Sequence, residues 1–270
     1  MTPALSLAHL TVIGLSPPEM VEVAARCGYQ SVGLRLIRVT PTSPGYPLMH
    51  DKPMMRATKA AMARTGIGVL DIEFVKITPE IDVAELEPFV AAGAELGARH
   101  IITAPYDPDL ARLSDRLGAI GMLAKSYGLS AVLEFFPWTV VPNLDAALQM
   151  VENSGREDVG ILVDMLHFNR SGSQLAQLQK VPRHRLPYGH LCDAPVQGRY
   201  THDELLHAGR AERLPPGEGA IPIAAILAQM PQDIPYALEV PMTAMTAAEG
   251  IEAVALRVRE AATRLLSTLG

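Results

Sequence analysis

Four residues of types that can hold a metal or move a proton stand at or near the ends of short apolar runs. They are Glu134 after Ala131-Val132-Leu133, Asp164 after Ile161-Leu162-Val163, His190 in Gly189-His190-Leu191-Cys192-Asp193, and Glu239 after Ala237-Leu238. Taken singly, each reads as a helix cap, an ion-pair partner or a satisfied polar core group. Taken together at the rim of a dry interior, three carboxylates would repel and raise one another's pKa unless a cation held them. A divalent ion resolves this. An oxygen-rich set with one imidazole suits Mn2+ or Mg2+ first, with Co2+ and Zn2+ also within range.

Such convergence requires the runs to be neighbouring strands. The chain repeats a β-rich run, an amphipathic helix and often a glycine. The runs are Ala4–Ile13, Ser31–Leu36, Val69–Val75, His100–Ala104, Ser130–Phe135, Gly160–Val163, Tyr188–Cys192 and Tyr236–Val240. Ser16-Pro17-Pro18-Glu19 reads as a helix N-cap with proline in the first turn, and Gly28 as the C-terminal stop. Continuous apolar runs suit parallel strands buried on both faces. Strand-helix alternation requires crossovers, hence a parallel sheet. Eight units in 270 residues predict an α/β fold, a single closed (β/α)8 TIM barrel, as one domain over residues 1–270. The competing open, doubly wound sheet would be expected to carry a G-x-G-x-x-G turn after the first strand, and His9–Ser16 has none. The longest irregular stretches, Arg38–Asp51 and Ala194–Pro222, fall after strands 2 and 7, on the side where such barrels do chemistry.

Composition narrows the classes. Net charge is −6 with no Lys/Arg cluster, so no nucleic acid partner is expected. Two cysteines exclude a disulfide framework and suit a cytoplasmic protein. No window reaches the length of a membrane span, and Met1–Leu15 lacks a basic leader, so it reads as the first strand.

The segments Leu133-Glu134-Phe135, Val163-Asp164-Met165-Leu166-His167, His190-Leu191-Cys192-Asp193 and Leu238-Glu239-Val240 resemble the sugar phosphate isomerase/epimerase superfamily of xylose-isomerase-like barrels. The Asp164-x-x-His167 motif and Arg213-Leu-Pro-Pro-Gly-Glu-Gly219 are the more specific parts. The resemblance implies that Glu134, Asp164, His190 and Glu239 bind one divalent metal ion. It further implies that Glu134 and Glu239 are an acid/base pair and that His167 hydrogen-bonds a substrate oxygen. An arginine after the strand 7 ligand would hold the substrate, with Arg199 and Arg213 as equal candidates. The substrate would be a small polyhydroxylated or keto-acid compound, and a homodimer is a common arrangement among these barrels. The DNA-repair branch is a poor match, because only His167 and His190 of the eight histidines fall on its motifs.

Other residues carry two readings each. Arg35 offers a cation for a substrate carboxylate or phosphate, or an ion pair with Asp71 or Glu73. It lies in Val32-Gly33-Leu34-Arg35, where many relatives place a glutamate at the position of Gly33. His9 faces the pocket or caps the first loop. Glu73, at the end of strand 3, supports the ligands or makes a rim salt bridge. Phe136 and Trp138 wall the site or pack beneath the strand 5 loop. Cys192 reads as a buried small hydrophobe. The expected chemistry is proton abstraction beside a carbonyl through an enediolate, giving isomerisation or epimerisation. A dehydratase of the 3-dehydroshikimate or inosose kind and a non-catalytic or partner-dependent barrel are the rival classes.

Overall fold

Residues 3–269 are described by a computed structural model; Met1, Thr2 and Gly270 lie outside the described residues. Eight parallel strands pair in sequence order and close on themselves. They are β1 (Leu5–Leu7), β2 (Ser31–Arg35), β3 (Gly68–Ile77), β4 (His100–Pro105), β5 (Ser130–Glu134), β6 (Gly160–Asp164), β7 (Gly189–His190) and β8 (Tyr236–Leu238). Helices α1 (Pro17–Cys27), α2 (Lys52–Thr65), α3 (Glu87–Glu95), α4 (Leu110–Ser126), α5 (Leu144–Asn153) and α6 (Met165–Arg170) follow the first six strands. After α6 come α7 (Leu175–Leu178), α8 (His202–Arg210), α9 (Ile223–Leu227), α10 (Thr243–Glu249) and α11 (Ile251–Ser267).

Strand side chains alternate between faces, so each apolar run feeds two cores. Leu5, Ile101, Ala131, Leu133, Ile161 and Val163 pack with Val23, Phe89, Leu113, Ile120, Val151 and Val258 of the helices. Leu70, Ile102, Val132, Leu162, Tyr188 and Ala237 form a separate cluster, the filling of the barrel itself. Each fully buried apolar side chain contributes roughly 1.5–3 kcal/mol, so the two cores together hold the strand ends in place.

Local signals act as the sequence suggests. Ser16 N–H donates to Glu19 Oε2 at 2.9 Å ahead of α1, and Gly28 ends that helix at φ 80°. Three boundaries differ from expectation. The run Ala4–Ile13 is a strand only over Leu5–Leu7 and then coils into a 3-10 turn, His9–Val12. Glu73 lies inside β3, not at its end, because that strand continues to Ile77 through a register shift. The stretch Ala194–Pro222 contains α8, opened by a capping box in which Thr201 N–H donates to Glu204 Oε2 at 2.7 Å.

One residue ties the segment after α8 to the barrel. Asp193 is buried, and its carboxylate accepts four backbone N–H groups. Those of Ala194 and Ile221 reach Oδ1 at 2.8 and 3.0 Å, and those of Gly217 and Gly219 reach Oδ2 at 3.0 and 2.9 Å. A side chain at Gly219 would collide with this carboxylate. Asp193 and Leu214 also pair as an isolated antiparallel bridge. Arg213 therefore enters the barrel mouth from a fixed backbone. Hydrogen bonds to a charged acceptor contribute roughly 1.5–3 kcal/mol each, so Asp193→Ala is expected to cost about 3 kcal/mol or more. Urea unfolding monitored by circular dichroism checks this; an unchanged midpoint would contradict it.

Candidate active site

Asp164, Glu134 and His190 are the last residues of β6, β5 and β7, and Glu239 follows β8 directly. Their apolar runs end at the C-terminal rim, so the polar tips meet there. One ligand atom from each of the four lies within 4.8 Å of the others, and all four residues are buried. His190 Nδ1 stands 3.4 Å from Glu239 Oε2, 3.5 Å from Asp164 Oδ2 and 3.7 Å from Glu134 Oε1. Asp164 also caps α6, accepting the His167 N–H on Oδ1 at 3.0 Å. One carboxylate thus starts a helix and faces the cluster.

Arg213 completes the group. Its Nη1 donates to Asp164 Oδ2 at 2.7 Å, and its Nη2 lies 2.9 Å from Glu239 Oε2. Nη1 and Nη2 also donate to the carbonyls of Glu239 (2.9 Å) and Gly209 (3.1 Å). Between the two arginine candidates the geometry separates sharply: Arg213 is 2% exposed inside the cluster, whereas Arg199 lies exposed on the loop before α8.

The electrostatics follow from this packing. Burial raises the Glu134 carboxyl well above the usual range, with Glu239 and Asp164 adding to the effect against the opposing pull of His190. Burial also works against Glu239 and Asp164 as anions. For Glu239 the charges of His190 and Arg213 overcome it and bring the pKa to about 2. For Asp164 the Arg213 guanidinium does the same and holds the carboxyl well below its ordinary value. His190 resists its own burial, because Glu239 and the other carboxylates draw its proton affinity well above the usual range. His167 differs: burial brings its pKa to about 4, so it is a neutral imidazole. The side chains alone balance charge by keeping protons on Glu134 and His190.

The donor set fits a divalent cation. Glu134 Oε1 and both His190 ring nitrogens are buried without a hydrogen-bond partner among the described residues. Three carboxylates and one guanidinium leave two negative charges, which one divalent ion would cancel.

An aromatic wall stands beside this cluster. His167 Nε2 is 3.8 Å from Glu134 Oε1, and its ring meets Phe136 at 4.7 Å and Trp138 at 5.1 Å. Trp138 Nε1 donates to Tyr106 Oη at 3.3 Å. Phe136 and Trp138 therefore line the site. His9 does not. Its Nδ1 accepts the Arg35 N–H at 2.8 Å, its Nε2 lies 3.0 Å from the Leu15 carbonyl, and its ring stacks on Tyr46 at 5.0 Å. It pins the first loop to β2, and burial brings its pKa to about 3. Arg35 pairs with Glu73, Nη2 to Oε1 at 3.2 Å. Cys192 is buried, with its thiol between Asp164 and Arg213 and its pKa pushed up by burial. Sequence reasoning missed Asp193 and Tyr106. Glycines at 217 and 219 signalled that a carboxylate could approach the backbone there; nothing in the sequence singles out Tyr106.

Comparison with known proteins places the fold. A family model described as the xylose isomerase-like TIM barrel matches residues 21–259. An inosose isomerase of Halalkalibacterium halodurans is 31% identical over 116 residues, which are 41% of this chain and 38% of that protein. The chain thus spans well under two thirds of that relative's length. Two solved structures share the fold. The zinc-bound structure of the IOLI protein has a TM-score of 0.81 at 18% identity, covering 100% of this chain and 99% of the other. The D-allulose 3-epimerase of Methylomonas sp., in complex with D-allulose, has a TM-score of 0.70 at 13% identity, covering 98% of each chain. With a family match running from α1 into α11, and a closed barrel whose acidic cluster sits at the strand ends, the chain belongs to the xylose isomerase-like TIM barrel family.

Proposed function

We propose that this chain is a divalent-metal-dependent isomerase or epimerase acting on a small, sugar-like hydroxycarbonyl compound. The observation that carries this reading is the convergence of Glu134, Asp164, His190 and Glu239 on one point at the strand ends. The inosose isomerase relative and the epimerase neighbour support the substrate class. Glu134, Asp164, His190 and Glu239 would hold the ion. Their oxygen-rich chemistry favours Mn2+ or Mg2+, and the zinc of the IOLI neighbour keeps Zn2+ in the set. When bound, a divalent ion supplies Lewis-acid polarisation of the carbonyl and offsets the charge of the enediolate.

The chain's own groups supply the proton chemistry. Glu239, paired with Arg213 at 2.9 Å, suits removal of the proton beside the carbonyl. Glu134, 3.8 Å from His167 Nε2, suits return of a proton to the enediolate. They stand on β5 and beyond β8, three strands apart around the ring, so the two carboxyls approach a bound carbon from different sides. His167, neutral and aimed at Glu134, is placed to hydrogen-bond a substrate oxygen. Arg213 holds Asp164 and Glu239 in register and has Nε without a partner, which favours it over Arg199 for substrate contact. Phe136 and Trp138 shield the reacting carbons from water. Among the described residues no helix is long and apolar enough to cross a membrane.

Proton exchange in D2O, followed by NMR with a panel of inososes and ketoses and Mn2+-loaded protein, tests this reading. Deuterium should enter beside the carbonyl, and Glu134→Gln or Glu239→Gln should slow that exchange by roughly 10²-fold or more. Undiminished exchange in both variants would contradict the assignment. Net loss of water from the substrate would favour the dehydratase class.

A further inference from the structure

Across the ring from β6 and β7, strands β2 and β3 carry charge that the proton chemistry does not use. Arg35 ends β2 and is the register partner of Glu73. Their side chains are 8% and 3% exposed, with Nη2 and Oε1 3.2 Å apart. Arg35 Nε is buried without a hydrogen-bond partner, and Glu73 Oε1 is engaged only through its ion pair with Arg35 Nη2. The backbone beneath is clamped: Arg35 N–H donates to His9 Nδ1 at 2.8 Å, and Tyr46 N–H donates to the Arg35 carbonyl at 2.9 Å. Asp71 does not pair with Arg35. Its carboxylate fills the space beside Gly33, where a Cβ would lie 2.5 Å from Oδ1. Glu73 lies close enough to the ligand cluster for Glu239 and His190 to act on its charge.

A buried ion pair adds little to stability, because desolvating both charges offsets their attraction. One that also leaves a buried donor unmet is costlier still, and such an atom calls for an explanation. The explanation offered by the pair's chemistry is recognition. A guanidinium beside a carboxylate presents a donor next to an acceptor with no net charge. Adjacent hydroxyls match this, one accepting from Arg35 and one donating to Glu73. A phosphate or carboxylate placed there would meet the Glu73 charge in a dry setting.

We propose that Arg35 and Glu73 are the specificity-determining pair of this site, holding an uncharged, diol-bearing end of the substrate and rejecting an anionic group there. This rests on the isomerase reading only in taking Glu134, Asp164, His190 and Glu239 as the reacting end.

Calorimetric binding of D-allulose and D-allulose 6-phosphate to Mn2+-loaded protein tests it, with Arg35→Met, Arg35→Lys and Glu73→Gln alongside wild type. Wild type should bind the uncharged ketose at least about tenfold more tightly than the phosphate ester. Arg35→Met and Glu73→Gln should each weaken D-allulose by about tenfold, with Arg35→Lys intermediate and Mn2+ still bound by every variant. Glu73→Gln should also narrow or reverse the preference, since it leaves the Arg35 charge unopposed. That reversal is a change a merely structural role would not produce. Equal binding of both compounds by wild type, binding of neither, or a preference unmoved by Glu73→Gln would overturn the proposal. Selectivity as described, with no deuterium exchange in wild type, would instead contradict the isomerase reading and leave the pair standing.

Discussion

The structure is organised around one electrostatic constraint: three carboxylates gathered at the mouth of an apolar barrel. Removing such charges from water costs several kcal/mol apiece unless partners compensate. The compensation comes from every side. Arg213 bridges Asp164 and Glu239, His190 stands among all three acids, and α6 starts on Asp164. Arg213 itself is delivered by a backbone that Asp193 holds through four N–H groups. The barrel makes the gathering unavoidable, because closure in sequence order brings the ends of β5 to β8 side by side.

The barrel filling divides the labour. Below the mouth, Val132, Leu162 and Ala237 give a packed, dry floor. Above the ends of β4, β5 and β6, Phe136, Trp138 and His167 form one aromatic wall with Tyr106 behind it. Toward β2 and β3, the lining turns charged, with the ion pair of Arg35 and Glu73. A dry floor strengthens every electrostatic interaction above it. An aromatic wall against a charged wall would give a bound polyol two chemically distinct faces. In the proposed reading the cluster and the walls would serve different tasks, proton chemistry in one case and substrate choice in the other.

Much of this was legible in the sequence, for identifiable reasons. Parallel strands buried on both faces must be apolar throughout, so Ala131–Leu133 and Ile161–Val163 announce themselves, and a charge ending such a run marks the rim. Short strands were harder. β1 and β7 are only three and two residues long, and the apolar run after β1 continues into a 3-10 turn that periodicity does not distinguish from a strand. Helix α8 is short and sits inside a long irregular stretch, with its capping box at Thr201 and Glu204 marking its start. The register shifts of β3 moved Glu73 from strand end to strand interior. The choice between Arg199 and Arg213 was not readable, because it depends on Asp193 folding Arg213–Ile221 back over β7.

The most direct measurement is a crystal structure of Mn2+-soaked protein with anomalous scattering recorded at the manganese edge. One anomalous peak touched by Glu134, Asp164, His190 and Glu239, with Arg213 beside it and bound to Asp164 or Glu239, is the predicted result. A peak held by other residues, or none at these four under saturating Mn2+, would contradict the metal centre and the function built on it.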